Sequence, residues 1–261
     1  MDMREQALYA LGINHIDDKV QAVEALFKTV DCPIHTEQVL QAQIPLPGRP
    51  EQPVLVPPQQ VKMRSAHTLE GRIALLHSIA HIEFNAINLA LDIIWRFTGM
   101  PAEFYREWLR VAQEETYHFG LIRDHLRQLG AEYGDLTAHN GLWDMAEKTR
   151  DDILARLALV PRTLEARGLD VTPGIQDRLR QAGDHQAVAI LDIILRDEIG
   201  HVEIGNRWYK YMCAQQQLDP VQCYADLLVK YGVSAPKGPF NLSARSQAGF
   251  SQAEIDWLTS L

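Results

Sequence analysis

Two five-residue stretches, Glu114-Glu115-Thr116-Tyr117-His118 and Asp197-Glu198-Ile199-Gly200-His201, repeat one pattern: an acid, a Glu, two intervening residues and a His. On an α-helix, positions i and i+3 point to nearly the same face, so each stretch presents a carboxylate and an imidazole side by side. Glu115 shares its stripe with Val111, Ala112, Phe119 and Ile122, and Glu198 shares its own with Ile194, Leu195 and Val202. Both pairs therefore face a core rather than solvent. A carboxylate in a core is costly unless it is paired or coordinated. A chain carrying two such pairs is restricted to folds that bring compensating charge to them.

The rest of the chain reads as all-α. Residues 3–11 and 16–29 form two short amphipathic helices. Residues 44–62 hold six of the thirteen prolines and run extended as an arm on the surface, because proline lacks an amide donor and restricts the residue before it. A long helix over 70–97 is apolar over more than one stripe and should be well buried. Thr98-Gly99-Met100-Pro101 ends it and opens a second, over 102–129. A third helix is expected over 142–166 with a kink at Pro161, followed by a break over 168–174 where Thr172 could cap Pro173. A short helix over 175–182, a fourth long helix over 185–213 and a helix over 219–231 follow. Residues 232–248 read as loop, and Ser251 to Glu254 is a capping box for a final helix. No segment shows convincing period-two alternation. These elements suggest an N-terminal region of helices and proline-rich arm (1–69), a central helical domain (70–213) and a C-terminal helical extension (214–261).

Counting locates two more carboxylates. Glu83 sits among Ile79, Ala80, Ile87 and Ala90 on the first long helix, sixteen residues before Gly99, and Glu115 lies sixteen after it. Helices folding back at Gly99 bring Glu83 and Glu115 to one height. In the second half Glu165 precedes Glu198 by 33 residues, with the midpoint near Gln181, so 168–183 is expected to be an elaborated turn. Arg162 and Arg167 flank Glu165, which leaves a surface ion pair as its alternative role, and Glu147 is the reserve for the fourth carboxylate. A Glu-x-x-His from each of two helices plus a Glu from each of two others is the ligand set of a carboxylate-bridged di-iron or di-manganese bundle. Carboxylate oxygens with imidazole suit iron or manganese. Glu114 and Asp197, each just before a ligand Glu, suit acceptors for the remaining N–H of a ligand histidine. His77 and His81 lie on a different face from Glu83; a polar cluster is the simpler role for them, and an additional ligand or proton relay the other.

At these residues the chain resembles the ferritin-like superfamily over about 70–213. The runs at 77–84, 161–170 and 196–203 are similar to a bacterial family of uncharacterised ferritin-like proteins, distantly akin to a di-iron tRNA hydroxylase. The resemblance implies a ferritin-like four-helix bundle with extra N- and C-terminal helices. It also implies a centre of two Fe ions (alternatively Mn or mixed Fe/Mn) held by Glu83, Glu115, His118, Glu165, Glu198 and His201, and reaction with O2 or peroxide. Rubredoxin-type cysteines of classical rubrerythrins are missing: Cys32, Cys213 and Cys223 form no Cys-x-x-Cys pair.

The function expected is a di-iron or di-manganese oxidoreductase, as a hydroxylase or monooxygenase of a small or nucleotide-attached substrate with a separate electron donor. A ferroxidase or peroxide scavenger, and a non-catalytic metal-binding bundle, are the alternatives. A formal net charge of −9 argues against nucleic acid or an anionic membrane as the main partner. The polar N-terminus, the lone cysteines and the lack of an uninterrupted apolar run of spanning length set a cytoplasmic, membrane-free expectation, with a homodimer allowed.

Overall fold

Helix starts in this chain are set by side chains. Asp2, Thr68, Asp152, Asp184, Asp219, Asn241 and Ser251 each accept a backbone N–H from the first turn of the helix that follows. Each bond satisfies a donor that the helix itself leaves open. The computed structural model describes residues 2–29, 31–61 and 64–260; Lys62, the last residue of the expected proline-rich arm, lies outside them. The protein is all-α, with no β-strand among the described residues. The chain divides into two compact units, Met1–Gly141 and Leu142–Leu261. The boundaries expected at 69/70 and 213/214 do not coincide with that division: each terminal region belongs to the unit of the long helices next to it.

In the first unit, α1 (Met3–Gly12) and α2 (Ile16–Phe27) pack on α3 (Leu69–Arg96) and α4 (Ala102–Gln128), which fold back on each other through 97–101. Gly99 in that turn has φ +74°, a conformation that L side chains adopt with strain. Arg4 of α1 is fully buried and closes the end of α3, donating to the carbonyls of Ile94 (3.3 Å) and Trp95 (2.7 Å). Lys19 of α2 is buried too, and its ammonium donates to the carbonyls of Leu11 and Gly48 and to Asn88 Oδ1. It thereby ties the arm to α3. An isolated parallel bridge, Leu55 to Ala138, holds the arm to the segment after α4. By length and composition α3 could cross a membrane, yet 67 % of its most apolar window is buried inside the structure, as in a core helix.

The second unit differs from the sequence expectation. The third helix is not continuous over 142–166. It is α5 (Gly141–Lys148), a turn, and α6 (Ile153–Leu159) capped by Asp152, followed by a π-helical turn at Val160–Glu165. Pro161 has no N–H to give Leu157, and the ladder widens there: Ala166 N–H reaches the Pro161 carbonyl. The break expected over 168–174 does not form. α7 (Ala166–Gln181) runs straight through Gly168, Pro173 and Gly174, and Thr172 is interior rather than a cap. The reason is tertiary. Proline at 173 orphans the Leu169 carbonyl, and Asn241 Nδ2 donates to that carbonyl at 3.2 Å. The elaborated turn thus shrinks to Gly183 and its neighbours before α8 (His185–Gln215), beside the midpoint near Gln181. α9 (Pro220–Tyr231), α10 (Leu242–Gln247) and α11 (Gln252–Thr259) complete the unit, α10 lying in the stretch read as loop.

Candidate metal centre

Both elements of the first unit's hairpin bring a carboxylate to the same point. Glu83 of α3 and Glu115 and His118 of α4 are 4 %, 1 % and 0 % exposed, and their ligand atoms lie within 4.8 Å of one another. His118 Nδ1 stands 3.4 Å from Glu83 and 3.6 Å from Glu115. Burial and the neighbouring Glu115 charge push the Glu83 carboxyl well above the usual carboxylate range. Burial works against a charged His118, but Glu115 and Glu83 outweigh it and hold its pKa up. Two oxygen donors and one nitrogen donor, buried together and short of positive charge, form a set that a divalent cation fits.

The second unit carries the matching elements. His201 of α8 is fully buried, and its Nδ1 lies 3.4 Å from Glu198, whose side chain is 13 % exposed. Glu165 is half-buried at the last residue of the π-helical turn, which packs on α8. Contact between turn and helix is close: a Cβ on Gly205 would stand 2.5 Å from Pro161 Cβ. Only glycine fits there without displacing the turn.

The arginines flanking Glu165 are engaged elsewhere. Arg162 is buried, donates to Glu254 Oε1 at 2.8 Å, and lies against the rings of Tyr209, Tyr224 and Phe250. Arg167 pairs with Asp170 at 3.6 Å. Glu147, the reserve carboxylate, sits on α5 in an exposed pair with Arg150. Of the two acids preceding a ligand Glu, Asp197 accepts from the Arg196 guanidinium at 2.8 and 3.0 Å, and Glu114 is half-buried.

His77 and His81 are not part of the Glu83 cluster and join a polar cluster built on Tyr133 instead. His77 Nε2 accepts from Gly134 N–H at 3.0 Å, and its ring stacks on Tyr133. His81 Nδ1 meets the Tyr133 hydroxyl at 2.8 Å and its Nε2 the His139 carbonyl at 3.0 Å. Burial lowers His81 to about 4, which keeps the imidazole neutral. Their partners come from a stretch read only as a connection, so nothing local in the sequence marks this role. Glu254 and Asn241, which hold the Glu165 end of the second unit, were likewise legible only as a capping box and as loop.

Fold and site together define an all-α protein with a buried carboxylate–imidazole cluster on a pair of long helices. A family model described as "Protein of unknown function (DUF455)" matches residues 13–256, and the chain belongs to that family. It is 55 % identical over 216 residues to an "Uncharacterized protein" of Haemophilus influenzae (strain ATCC 51907 / DSM 11121 / KW20 / Rd), covering 80 % of this chain and 75 % of that one. No solved structure matches it.

Proposed function

We propose that this chain is a ferritin-like, cytoplasmic di-metal oxidoreductase, in which the two Glu-x-x-His half-sites share one centre. The observation that carries the reading is the burial of Glu83, Glu115 and His118 with their ligand atoms within 4.8 Å. Glu83, Glu115 and His118 would hold one side of the centre, and Glu165, Glu198 and His201 the other. The repeated motif and the equal spacing of Glu83 and Glu115 from Gly99 support the pairing. Iron, or manganese in its place, would supply redox chemistry toward O2 or peroxide at such a centre. The chain's own contribution would be to hold Glu83, Glu115, His118 and His201 buried, with Glu165 and Glu198 only partly exposed, so that little water competes for the metal. Asp197 and Glu114 would orient the histidines by accepting their remaining N–H. The three free cysteines suit a reducing compartment. An organic substrate and a separate electron donor complete the reading.

The test is anaerobic reconstitution of the full chain with Fe(II), metal analysis, and then oxygen uptake on exposure to air. Two metals per chain, falling to one or none in Glu115→Ala and in Glu198→Ala, is the expected result. Retention of two metals by both variants would show the ligand assignment to be wrong. Bound metal without any oxygen uptake would leave a metal-binding bundle and remove the oxidoreductase.

A further inference from the structure

Between α3 and the proline-rich arm lies a cleft of about 280 Å³, built wholly from residues of the first unit. It opens on the face of α3 that carries His81, Phe84, Asn85 and Asn88, whereas Glu83 belongs to the metal-facing stripe, so the cleft does not depend on the metal reading. Its volume is at the low end for small-molecule sites, which suits a metabolite of one ring. Phe84 and Tyr133 line it with ring centroids 5.7 Å apart. The rings are tilted 43° to each other, so they form an apolar corner against which an aromatic ring packs.

Two polar groups give this surface a direction. Asn88 is committed: its Oδ1 takes the Lys19 ammonium and its Nδ2 donates to the Phe84 carbonyl. Asn85 is 4 % exposed, and its Nδ2 donates to the His81 carbonyl at 2.8 Å, which fixes the orientation of the carboxamide. Its Oδ1 therefore lines the cleft as an acceptor with no donor among the described residues. An acceptor on the cleft wall that no described residue engages can take a ligand hydroxyl or amine. At the mouth stand one cation, Arg49, and one anion, Glu51. Arg49 is half-buried, with its backbone N–H held by Asn14 at 3.1 Å, whereas Glu51 is exposed. Of the two, the half-buried Arg49 is the stronger attractor, because a charge partly withdrawn from water attracts an opposite charge more strongly.

We propose that this cleft binds a small aromatic carboxylate bearing a ring hydroxyl or amino group: the donor on Asn85 Oδ1, the ring on Phe84 and Tyr133, and the carboxylate facing Arg49. The probe is 4-hydroxybenzoate, titrated into the full chain by calorimetry, with 4-hydroxybenzylamine as the cationic counterpart. The expected result is saturable binding of the benzoate, weakened about tenfold by Arg49→Gln and by Asn85→Leu. Val54→Trp adds bulk on an exposed arm position lining the cleft, and should abolish binding while leaving the melting temperature within a few degrees. Because the fold is monitored in the same samples, loss of binding through unfolding is recognised. No binding at millimolar probe, tighter binding of the amine, or binding indifferent to Val54→Trp would each overturn the proposal.

Discussion

Glu83 adds a second buried carboxylate beside Glu115, both of them facing the His118 imidazole. In the metal-free chain the His118 imidazolium balances one of the two charges, and the other raises the free energy of the folded state. Glu83→Gln keeps the shape and removes that charge. The expected outcome is a metal-free protein as stable as the parent or more so, by about 1 kcal/mol for one unit of relieved pKa shift, together with loss of metal retention. Thermal unfolding of metal-free samples and metal analysis of reconstituted ones check the two halves separately. A variant that unfolds several degrees lower would make Glu83 a structural residue. The electrostatic cost of a buried acid is visible in this one side chain, which is also why the sequence exposed it: an acid on an otherwise apolar stripe has few structural roles.

At the scale of elements, α7 shows how tertiary contacts override local signals. Gly168, Pro173 and Gly174 all argue for a break, yet the helix continues because Asn241, about seventy residues later, takes the carbonyl that Pro173 orphans. A double-mutant cycle measures this. Asn241→Ala also removes the cap of α10, so its cost alone proves little. In a Pro173→Ala background the restored N–H can serve Leu169, and the cost of Asn241→Ala should fall by about 0.5–1.5 kcal/mol. Equal costs in both backgrounds, measured by urea unfolding, would exclude the compensation. The same contrast divides what was legible from what was not. The starts of α1 to α5, α8, α9 and α11, the Gly99 turn and the two stripes carrying Glu83 and Glu115 with His118 rest on residues within a few turns of one another, and they could be read directly. A disturbance at Pro161 was legible but not its form, a π-helical turn packed on Gly205, and the passage of α7 through Pro173 was not legible at all, because Gly205 and Asn241 are remote in sequence. His77 and His81 were ambiguous for the same reason, since Tyr133 and His139 arrive from beyond α4.

For the molecule as a whole, the C-terminal helices are more than an appendage to the second unit. Glu254 of α11 is buried, and it receives Arg162 from the π-helical turn, Lys210 from α8 and the Ser251 hydroxyl and N–H. Burial alone would raise its pKa, but Arg162 and the Ser251 donors outweigh it and hold Glu254 at about 2. In the unfolded chain the group titrates at about 4.3. Because the folded pKa is the lower one, the unfolded state binds more protons between these values. The stabilisation is therefore complete above about pH 4.3 and is lost as pH falls toward 2, amounting to on the order of 3 kcal/mol. Glu254→Gln should unfold more easily at neutral pH by about 3–5 kcal/mol, since it leaves Arg162 buried without its anion. It should also show a flatter dependence of stability on pH between 4.3 and 2 than the parent. Chemical unfolding of both proteins across that range tests the sign as well as the size. If the reading of the metal centre holds, the same variant also binds less metal than the parent, although Glu254 is no ligand, because the turn that Arg162 anchors ends at Glu165. Unchanged metal content beside lowered stability would confine Glu254 to the fold.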